Sequence, residues 1–273
     1  MGSCFAWEIE KVLVRQGRDV VSLAREFEQF VVDERYRDYP FASKFNSFAM
    51  LYELRWALDP SARYPEPAVL RLRDDFWYDP HGTAAMYWAD RQKVYAARRT
   101  MSEIVARIRD CRVVVLTPGL SEAWFDTLTG HYLNWPTIEI LRRYGDRFRF
   151  HVLSYEEIFG TLEEIHALIT RYGRPDVQIV TSVSPVPLDS TFRTCDIVTA
   201  NAYSKAVLRA AVEAWSLAHP NVHYFPSYEI ATLSDKPAAW EEDRRHVSQD
   251  LVDHIVGVFS RAYGLTEVSA PAR

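Results

Sequence analysis

The second half of the chain repeats one pattern, in which short β-branched runs alternate with longer segments whose apolar residues recur every three or four positions. The runs cover residues 112–117, 148–154, 177–183 and 222–225. The periodic segments predict helices at residues 136–143, 156–171, 202–219 and 247–263. Alternation of strands and helices favours parallel strands with helices on both faces of the sheet. We therefore predict an α/β fold with a parallel sheet.

The first half follows a different pattern. A helix is predicted at about residues 5–16, followed by a short run at 19–23, and the chain is then mostly helical and aromatic as far as Asp110. Residues 84–109 are expected to form one long helix. No linker composition or internal repeat divides the chain, so residues 1–273 are interpreted as one domain with a helical insertion at about residues 40–110. The insertion either shapes a substrate cleft or thickens the core.

Composition excludes several classes of protein. A content of 48% apolar residues, with 14 Phe, 15 Tyr and 8 Trp, is enough for one large core and argues against disorder. The net charge of −5 argues against nucleic-acid binding, which needs a local excess of Lys and Arg. The most basic segment, residues 91–99, is interpreted as a solvated helix face.

The cysteines and the apolar runs bear on location. Cys4, Cys111 and Cys195 have no close pairing of the kind that makes a zinc site or a disulfide framework, which indicates a reducing compartment. The opening Met-Gly-Ser-Cys does not have the basic-then-apolar pattern of a leader, and no apolar run approaches the ~20 residues that span a bilayer. We expect a soluble, cytoplasmic protein without a membrane span.

Asp243 and His246 form the strongest C-terminal candidate for catalysis. Among the eight histidines, only His246 has an aspartate three residues upstream. A carboxylate at that spacing can accept a hydrogen bond from one imidazole nitrogen and leave the other as a general base. The alternative is that Asp243 simply caps a helix.

The N-terminal segment Gly2-Ser3-Cys4 is the natural partner of that pair. If a helix follows the glycine turn, Cys4 lies at a helix N-terminus, where the helix dipole and unpaired amides favour a thiolate and stabilise an oxyanion. Ser3 is the competing nucleophile, and its hydroxyl would need His246 as a base. In the alternative interpretation, Gly2-Ser3-Cys4 is a buried turn with no catalytic role.

Two turn-like segments, residues 117–122 and 182–187, follow predicted strands. Ligands of parallel sheets bind beyond the carboxyl ends of the strands, so we expect these segments to border the site.

Taken in order, several motifs resemble the GSCFA-domain family, which is placed within the SGNH/GDSL hydrolase superfamily. They are Gly2–Ala6, Phe45–Phe48, Thr117–Trp124, Ser182–Leu188, Asn201–Lys205, Tyr224–Glu229 and Asp243–His246. The resemblance implies a three-layer, flavodoxin-like parallel sheet with acyl-transfer chemistry. It also implies a β-strand directly before Gly2, so this first central strand is missing from the sequence and we expect native protein to carry further N-terminal residues.

The same resemblance implies roles for individual residues. Asp243 and His246 match the superfamily's final block directly, and Cys4 takes the position of its nucleophile, ahead of Ser3. The middle blocks match less closely. Residues proposed for oxyanion or substrate binding are Asn46, Gly119, Ser121, Glu122 and Ser184.

These inferences predict an acyl-ester hydrolase or O-acyltransferase that works through a covalent acyl-enzyme on a carbohydrate-linked or small ester. Two alternatives stay open: a catalytically idle scaffold that binds a glycan or a partner protein, and an acyltransferase that uses acyl-CoA as co-substrate. Glu163 and His166 lie one helical turn apart without further suitably spaced ligands, so no metal is predicted. Nucleotide-binding glycine motifs are absent, and no cofactor is expected.

Overall fold

The computed structural model describes residues 1–2, 4–30, 41–83, 86–88, 90–243 and 246–263, with Cys4 and Phe5 described by their backbone alone. In chain order the helices are α1 (Cys4–Arg15), α2 (Ser47–Leu58), α3 (Arg91–Ala106), α4 (Ile138–Arg143), α5 (Tyr155–Tyr172), α6 (Ile197–Ala218), α7 (Ser227–Leu233), α8 (Lys236–Ala239) and α9 (Gln249–Ala262). The strands are β1 (Leu70–Arg73), β2 (Phe76–Tyr78), β3 (Tyr87–Trp88), β4 (Val113–Leu116), β5 (Glu122–Asp126), β6 (His131–Tyr132), β7 (Phe148–Val152), β8 (Gln178–Thr181) and β9 (Val222–Tyr224).

A parallel sheet of strand order β4-β8-β9 forms the centre of the fold. Successive side chains of a strand point to opposite faces, and those of β8 enter two different apolar clusters. Ile179 packs in a cluster with residues of α2, α3, α5 and α6, whereas Val180 packs with residues of α1 and α9. The sheet is therefore buried on both faces, as the continuous apolar runs in the sequence predict. The α/β prediction is confirmed.

The first two residues extend this sheet. Gly2 forms parallel bridges to both Ser43 and Thr117. The amide of Thr117 donates to the Met1 carbonyl at 3.1 Å, and the amide of Lys44 donates to the Gly2 carbonyl at 2.9 Å. Gly2 thus lies between the segment at Ser43 and the end of β4, and α1 begins two residues later. This is a strand-to-helix turn at the carboxyl edge of the sheet.

One predicted strand lies in a different sheet. The run at residues 148–154 was expected to be parallel, but β7 pairs antiparallel with β5, which in turn pairs with β6. The prediction of a parallel strand there was wrong. The sequence Phe148-Arg149-Phe150-His151 alternates apolar and polar residues, and such alternation is typical of an antiparallel strand with one solvated face.

The insertion is less helical than predicted. A three-stranded antiparallel sheet, β1-β2-β3, lies where helix was expected. The long helix predicted for residues 84–109 begins only at Arg91, because the Asp90 side chain accepts a hydrogen bond from the Gln92 amide and caps α3 there. Residues 84, 85 and 89 of that prediction lie outside the described residues.

A network of buried charges joins the insertion to the sheet. Arg98 of α3 pairs with Glu53 of α2 and with Asp79, whose Oδ2 lies 3.1 Å from Nη1. The Lys44 ammonium lies 3.1 Å from Glu53 Oε2 and donates to the His81 carbonyl at 2.8 Å. These side chains are 3% exposed or less, so every charge needs its partner. The network fixes Lys44, and with it the segment that pairs with Gly2.

No helix in the described part of the chain has both the length and the apolarity to cross a membrane.

Candidate active-site cleft

Cys4 is the first residue of the 12-residue helix α1, two positions after the Gly2 bridge. The first four amides of a helix have no partner within it, and they carry the positive end of the helix dipole. The backbone therefore places Cys4 where a thiolate and an oxyanion are both stabilised. Ser3, the competing nucleophile, lies outside the described residues.

Asp243 and His246 form the predicted hydrogen-bonded pair. His246 Nδ1 lies 2.5 Å from Asp243 Oδ2, and the His246 amide donates to Asp243 Oδ1 at 2.9 Å. The carboxylate thereby binds both the ring and the backbone amide of His246, and Nε2 takes part in neither bond. About half of each side chain is exposed, at 53% for His246 and 48% for Asp243. This geometry can orient a general base.

Neither Asp243 nor His246 lines the cleft at the carboxyl edge of the parallel sheet. Gln249, three residues after His246, borders a shallow depression together with Lys11, Val14 and Arg15 of α1. Among the described residues, the hydrogen bonds of His246 go to Asp243 and to the Glu241 amide, which donates to the His246 carbonyl at 2.9 Å. Contact between His246 and the Cys4 side chain stays a prediction.

A cleft of about 340 Å³ opens at the carboxyl edge of the parallel sheet. One wall is formed by β5 and β7, and the other by the segment after β8. Five aromatic side chains are among the lining residues, namely Phe45, Trp124, Trp135, Phe150 and Phe192. Four of the predicted binding residues also line it: Asn46, Gly119, Glu122 and Ser184.

The backbone amides of Gly119 and Ser121 are engaged in hydrogen bonds within the protein. The Gly119 and Leu120 amides both donate to the Phe45 carbonyl, at 3.1 and 2.9 Å. The Ser121 amide donates to Ser204 Oγ at 3.0 Å, and the Ser121 side chain is fully buried. Ser121 is not among the lining residues. An oxyanion role for these groups would require the segment to rearrange.

Asn46 has a structural role that the sequence does not reveal. Its side-chain oxygen accepts from the Ala49 amide at 2.9 Å and so caps α2, while its amide nitrogen donates to the Leu133 carbonyl at 2.9 Å. One of the two amide hydrogens is thereby used. The other is the side-chain hydrogen that Asn46 can offer to an oxyanion.

The charged side chains that line the cleft are both acidic. The Thr191 hydroxyl shares its single hydrogen between the two carboxylate oxygens of Glu122, at 2.8 and 3.0 Å, and Asp189 lies on the opposite wall. Lys, Arg and His are absent from the described lining. The described residues also hold no group of three or more His, Cys, Asp or Glu side chains arranged to bind a metal.

Comparison with known proteins identifies the family. The model of the GSCFA family matches residues 1–259. The chain belongs to the GSCFA family. No curated protein and no solved structure matches it. The family assignment made from the motifs is thus confirmed for this GSCFA chain.

Sequence reasoning missed part of the cleft of this GSCFA protein. Trp124 and Phe192 form an edge-to-face pair with ring centroids 5.0 Å apart, although 68 positions of sequence separate them. Lys205, buried behind the cleft, bonds both of its loops. A lysine within the otherwise apolar stripe of a predicted helix is the one signal that could have singled out Lys205.

Proposed function

We propose that the protein is an SGNH-like acyl-ester hydrolase or O-acyltransferase with Cys4 as its nucleophile, on a three-layer, flavodoxin-like sheet. The observation that carries this proposal is the start of α1 at Cys4, directly after a glycine turn at the carboxyl edge of the sheet. The segments at Ser43 and Gly2 precede β4, β8 and β9 in a 2-1-3-4-5 order, which is the flavodoxin-like order. In that order the nucleophile lies at the switch point of the sheet.

The reaction begins with proton transfer from the Cys4 thiol to His246 Nε2, with Asp243 holding Nδ1. The thiolate adds to the acyl carbonyl, and the oxyanion is held by the amides of the first turn of α1, with Asn46 as the further donor. Collapse breaks the acyl–oxygen bond, and His246 returns its proton to the leaving alcohol. Water or a sugar hydroxyl then adds to the thioester, gives its proton to His246 and releases Cys4.

The lining of the cleft favours an uncharged, ring-bearing substrate. Aromatic faces stack on the apolar face of a sugar, and carboxylates such as Glu122 accept hydrogen bonds from hydroxyls. A phosphorylated donor such as acyl-CoA would meet acidic side chains here without a basic partner. The acyl-CoA alternative therefore needs a phosphate site outside this cleft.

One observation favours the second candidate, a non-catalytic scaffold that binds a glycan. The amides of Gly119 and Leu120 are both bound by the Phe45 carbonyl, which removes two backbone donors from the place where the superfamily is expected to hold its oxyanion. Such a scaffold would bind its glycan in the aromatic cleft but would not catalyse acyl transfer.

Acylation by an activated ester distinguishes the two. Incubation with p-nitrophenyl acetate, followed by intact-mass and peptide analysis, should add one acetyl group to Cys4 at neutral pH. The Cys4→Ala variant should lose the adduct, and His246→Ala should slow its formation. Cys111→Ala is the matched control, because burial raises the pKa of the Cys111 thiol and so lowers its thiolate fraction at neutral pH.

Alkylation gives an independent measurement. Iodoacetamide at neutral pH should modify Cys4 much faster than Cys111 or Cys195. Equal and slow rates, together with no acetyl adduct, would support the scaffold. An adduct that survives in Cys4→Ala and disappears in Ser3→Ala would move the nucleophile to Ser3.

A further inference from the structure

Lys205 of α6 is a buried cation bonded to backbone carbonyls alone. Its Nζ donates to the Gly119 carbonyl at 2.9 Å, to the Ser184 carbonyl at 2.8 Å and to the Val186 carbonyl at 2.6 Å. The residue is 2% exposed. Gly119 belongs to the segment after β4, and the other two partners belong to the segment after β8. One ammonium thus joins the two loops that border the cleft.

The sequence of the second loop explains why these carbonyls are available. Ser184 precedes Pro185, and Val186 precedes Pro187. A residue before proline is held in an extended conformation, and in an extended chain residues two apart face the same side. Proline has no amide hydrogen, so this segment cannot build a strand ladder through Pro185 or Pro187. The two carbonyls therefore need another donor, and Lys205 supplies it.

No carboxylate compensates the charge of Lys205 among its described partners. The charged groups around it are otherwise engaged. On α6, Arg209 pairs with Glu213 and Glu229. At the start of β5, Glu122 is bound by Thr191, and on the loop after β8 Asp189 has a partner of its own. On α5, Glu163 pairs with His219.

We propose that Lys205 is a positioning residue of the cleft, whose protonated amine holds residues 182–188 against Gly119 and so sets the distance between the two walls. A count of donors supports this. An ammonium has three N–H groups for three carbonyls, whereas a neutral amine has two and presents a lone pair to the third. Loss of the proton therefore breaks one of the three bonds and releases one loop.

We expect Lys205 to lose its proton, and one loop to be released, within the physiological pH range. Burial, with no opposing charge, lowers the pKa of Lys205 to about 7. The loops are held below that pH and loosen as the pH rises through it. The effect on global stability has the opposite sign, because the unfolded chain keeps its proton up to about pH 10 and the folded chain gives it up earlier. As the pH rises, the loops should therefore loosen while the free energy of unfolding does not fall. This combination distinguishes release of the loops from general unfolding.

Fluorine NMR of 5-fluorotryptophan-labelled protein tests the inference without turnover. The Cys4→Ala variant is used, so that the result does not depend on the proposed chemistry. Resonances of Trp124 and Trp135, on the cleft walls, should shift with a midpoint near pH 7, while that of Trp88, buried in the core against Phe30, should stay constant. Each resonance is assigned by a Trp→Phe substitution.

In Lys205→Met the shift near neutral pH should disappear, and Lys205→Gln, which keeps two donors, should hold Trp124 close to its high-pH position. Lys93→Met, on the exposed face of α3, is the matched control and should titrate like the parent. If Lys205→Met does not fold, Lys205→Gln and direct titration of the ¹⁵N-labelled lysine ammonium groups decide the question.

A Trp124 titration that persists without Lys205, or a Lys205 ammonium that stays protonated to pH 9 or above, would overturn the inference. If the protein with Cys4 intact proves active on p-nitrophenyl esters, the positioning role further predicts that KM rises several-fold above neutral pH with little change in kcat. Absence of activity would count against the proposed function and leave the NMR result standing.

Discussion

Gly2 and Thr117 approach each other so closely that a Cβ atom at position 2 would lie 2.0 Å from Thr117 Oγ1 and 2.9 Å from the Thr117 carbonyl oxygen. Both contacts are shorter than real Cβ atoms tolerate, and the second involves backbone that cannot move aside. Residue 2 must therefore be glycine for the chain to lie against β4. The turn that presents Cys4 depends on this contact.

We accordingly predict that Gly2→Ala destabilises the protein by about 1–3 kcal/mol and slows labelling of Cys4. Urea denaturation measures the first effect and iodoacetamide kinetics the second. Gly160→Ala is the control, because a Cβ there meets nothing within 4 Å and lies in α5. It should stabilise the protein by roughly 0.5–1 kcal/mol through helix propensity. Equal effects of the two variants would contradict the packing explanation.

The buried ion network should be sensitive to loss of one carboxylate. Glu53 is fully buried between Arg98 and Lys44, so Glu53→Gln leaves an excess of buried positive charge. We expect a loss of about 3–5 kcal/mol in the free energy of unfolding. The exposed pair of Arg107 and Glu26 provides the comparison, and Glu26→Gln should leave stability nearly unchanged. A small effect at Glu53 would mean that solvent reaches the network.

The same network predicts acid sensitivity. Burial is the largest single effect and would raise the pKa of Glu53 and of Asp79. Arg98 and Lys44 together outweigh it at Glu53, and Arg98 with the hydrogen bonds of Tyr64 and the His81 amide outweighs it at Asp79, so the pKa of both carboxyls is lowered. The stability that they contribute is present above about pH 4, where unfolded carboxyls ionise, and is lost as the pH falls further. Urea denaturation at several acidic pH values should show this decline, and the decline should be shallower in Glu53→Gln.

Ser121 and Asn46 should respond differently to substitution. Ser121 Oγ is buried without a hydrogen-bond partner among the described residues, so Ser121→Ala should leave stability unchanged or raise it slightly. Asn46→Ser keeps an oxygen that can cap α2 but removes the donor to the Leu133 carbonyl, which should cost about 1–3 kcal/mol. Thermal unfolding measures both.

Enzyme kinetics distinguish the role of Asn46 in capping α2 from its proposed role in binding the oxyanion. If its second amide hydrogen binds the oxyanion, Asn46→Ser should lower kcat for acyl transfer by about 10²-fold in folded protein. An unchanged kcat would leave Asn46 with the capping role alone, and Ser121→Ala should not alter kcat in either case.

The parallel strands could be predicted because each lies in a short run rich in β-branched or aromatic residues between two helical segments. The segments 177–183 and 222–225 contain β8 and β9 for this reason. The run at 148–154 is antiparallel because its alternation of apolar and polar residues leaves one face solvated. β5 was not predicted because a turn-like segment leads directly into it. Pairing of β5 with β7 joins residues far apart in sequence, and local pattern carries no information about such partners.

The candidate site also has a part that could be predicted from the sequence and a part that could not. The bond between His246 and Asp243 is local, so spacing alone predicted it. The position of Lys205 was not predictable, because three carbonyls from two separate loops define it and backbone oxygens leave no mark in the sequence. The aromatic wall of the cleft likewise exists only once Trp124 and Phe192 meet.

The sheet of β6, β5 and β7 has a consequence for how such a protein can be redesigned. It supplies one wall of the cleft, whereas Cys4 is presented by the separate parallel sheet. The cleft-facing side chains of β5 and β7 can therefore be exchanged without touching the ladder that holds Gly2. The loop between β6 and α4 has to stay as it is, because its Asn134 donates to the carbonyl of Ser43, which pairs with Gly2. Under the proposed function, recognition belongs to the sheet of β5 and β7 and reactivity to the parallel sheet. A library confined to the cleft-facing side chains of β5 and β7 could then search for new ligands while the second sheet is inherited intact.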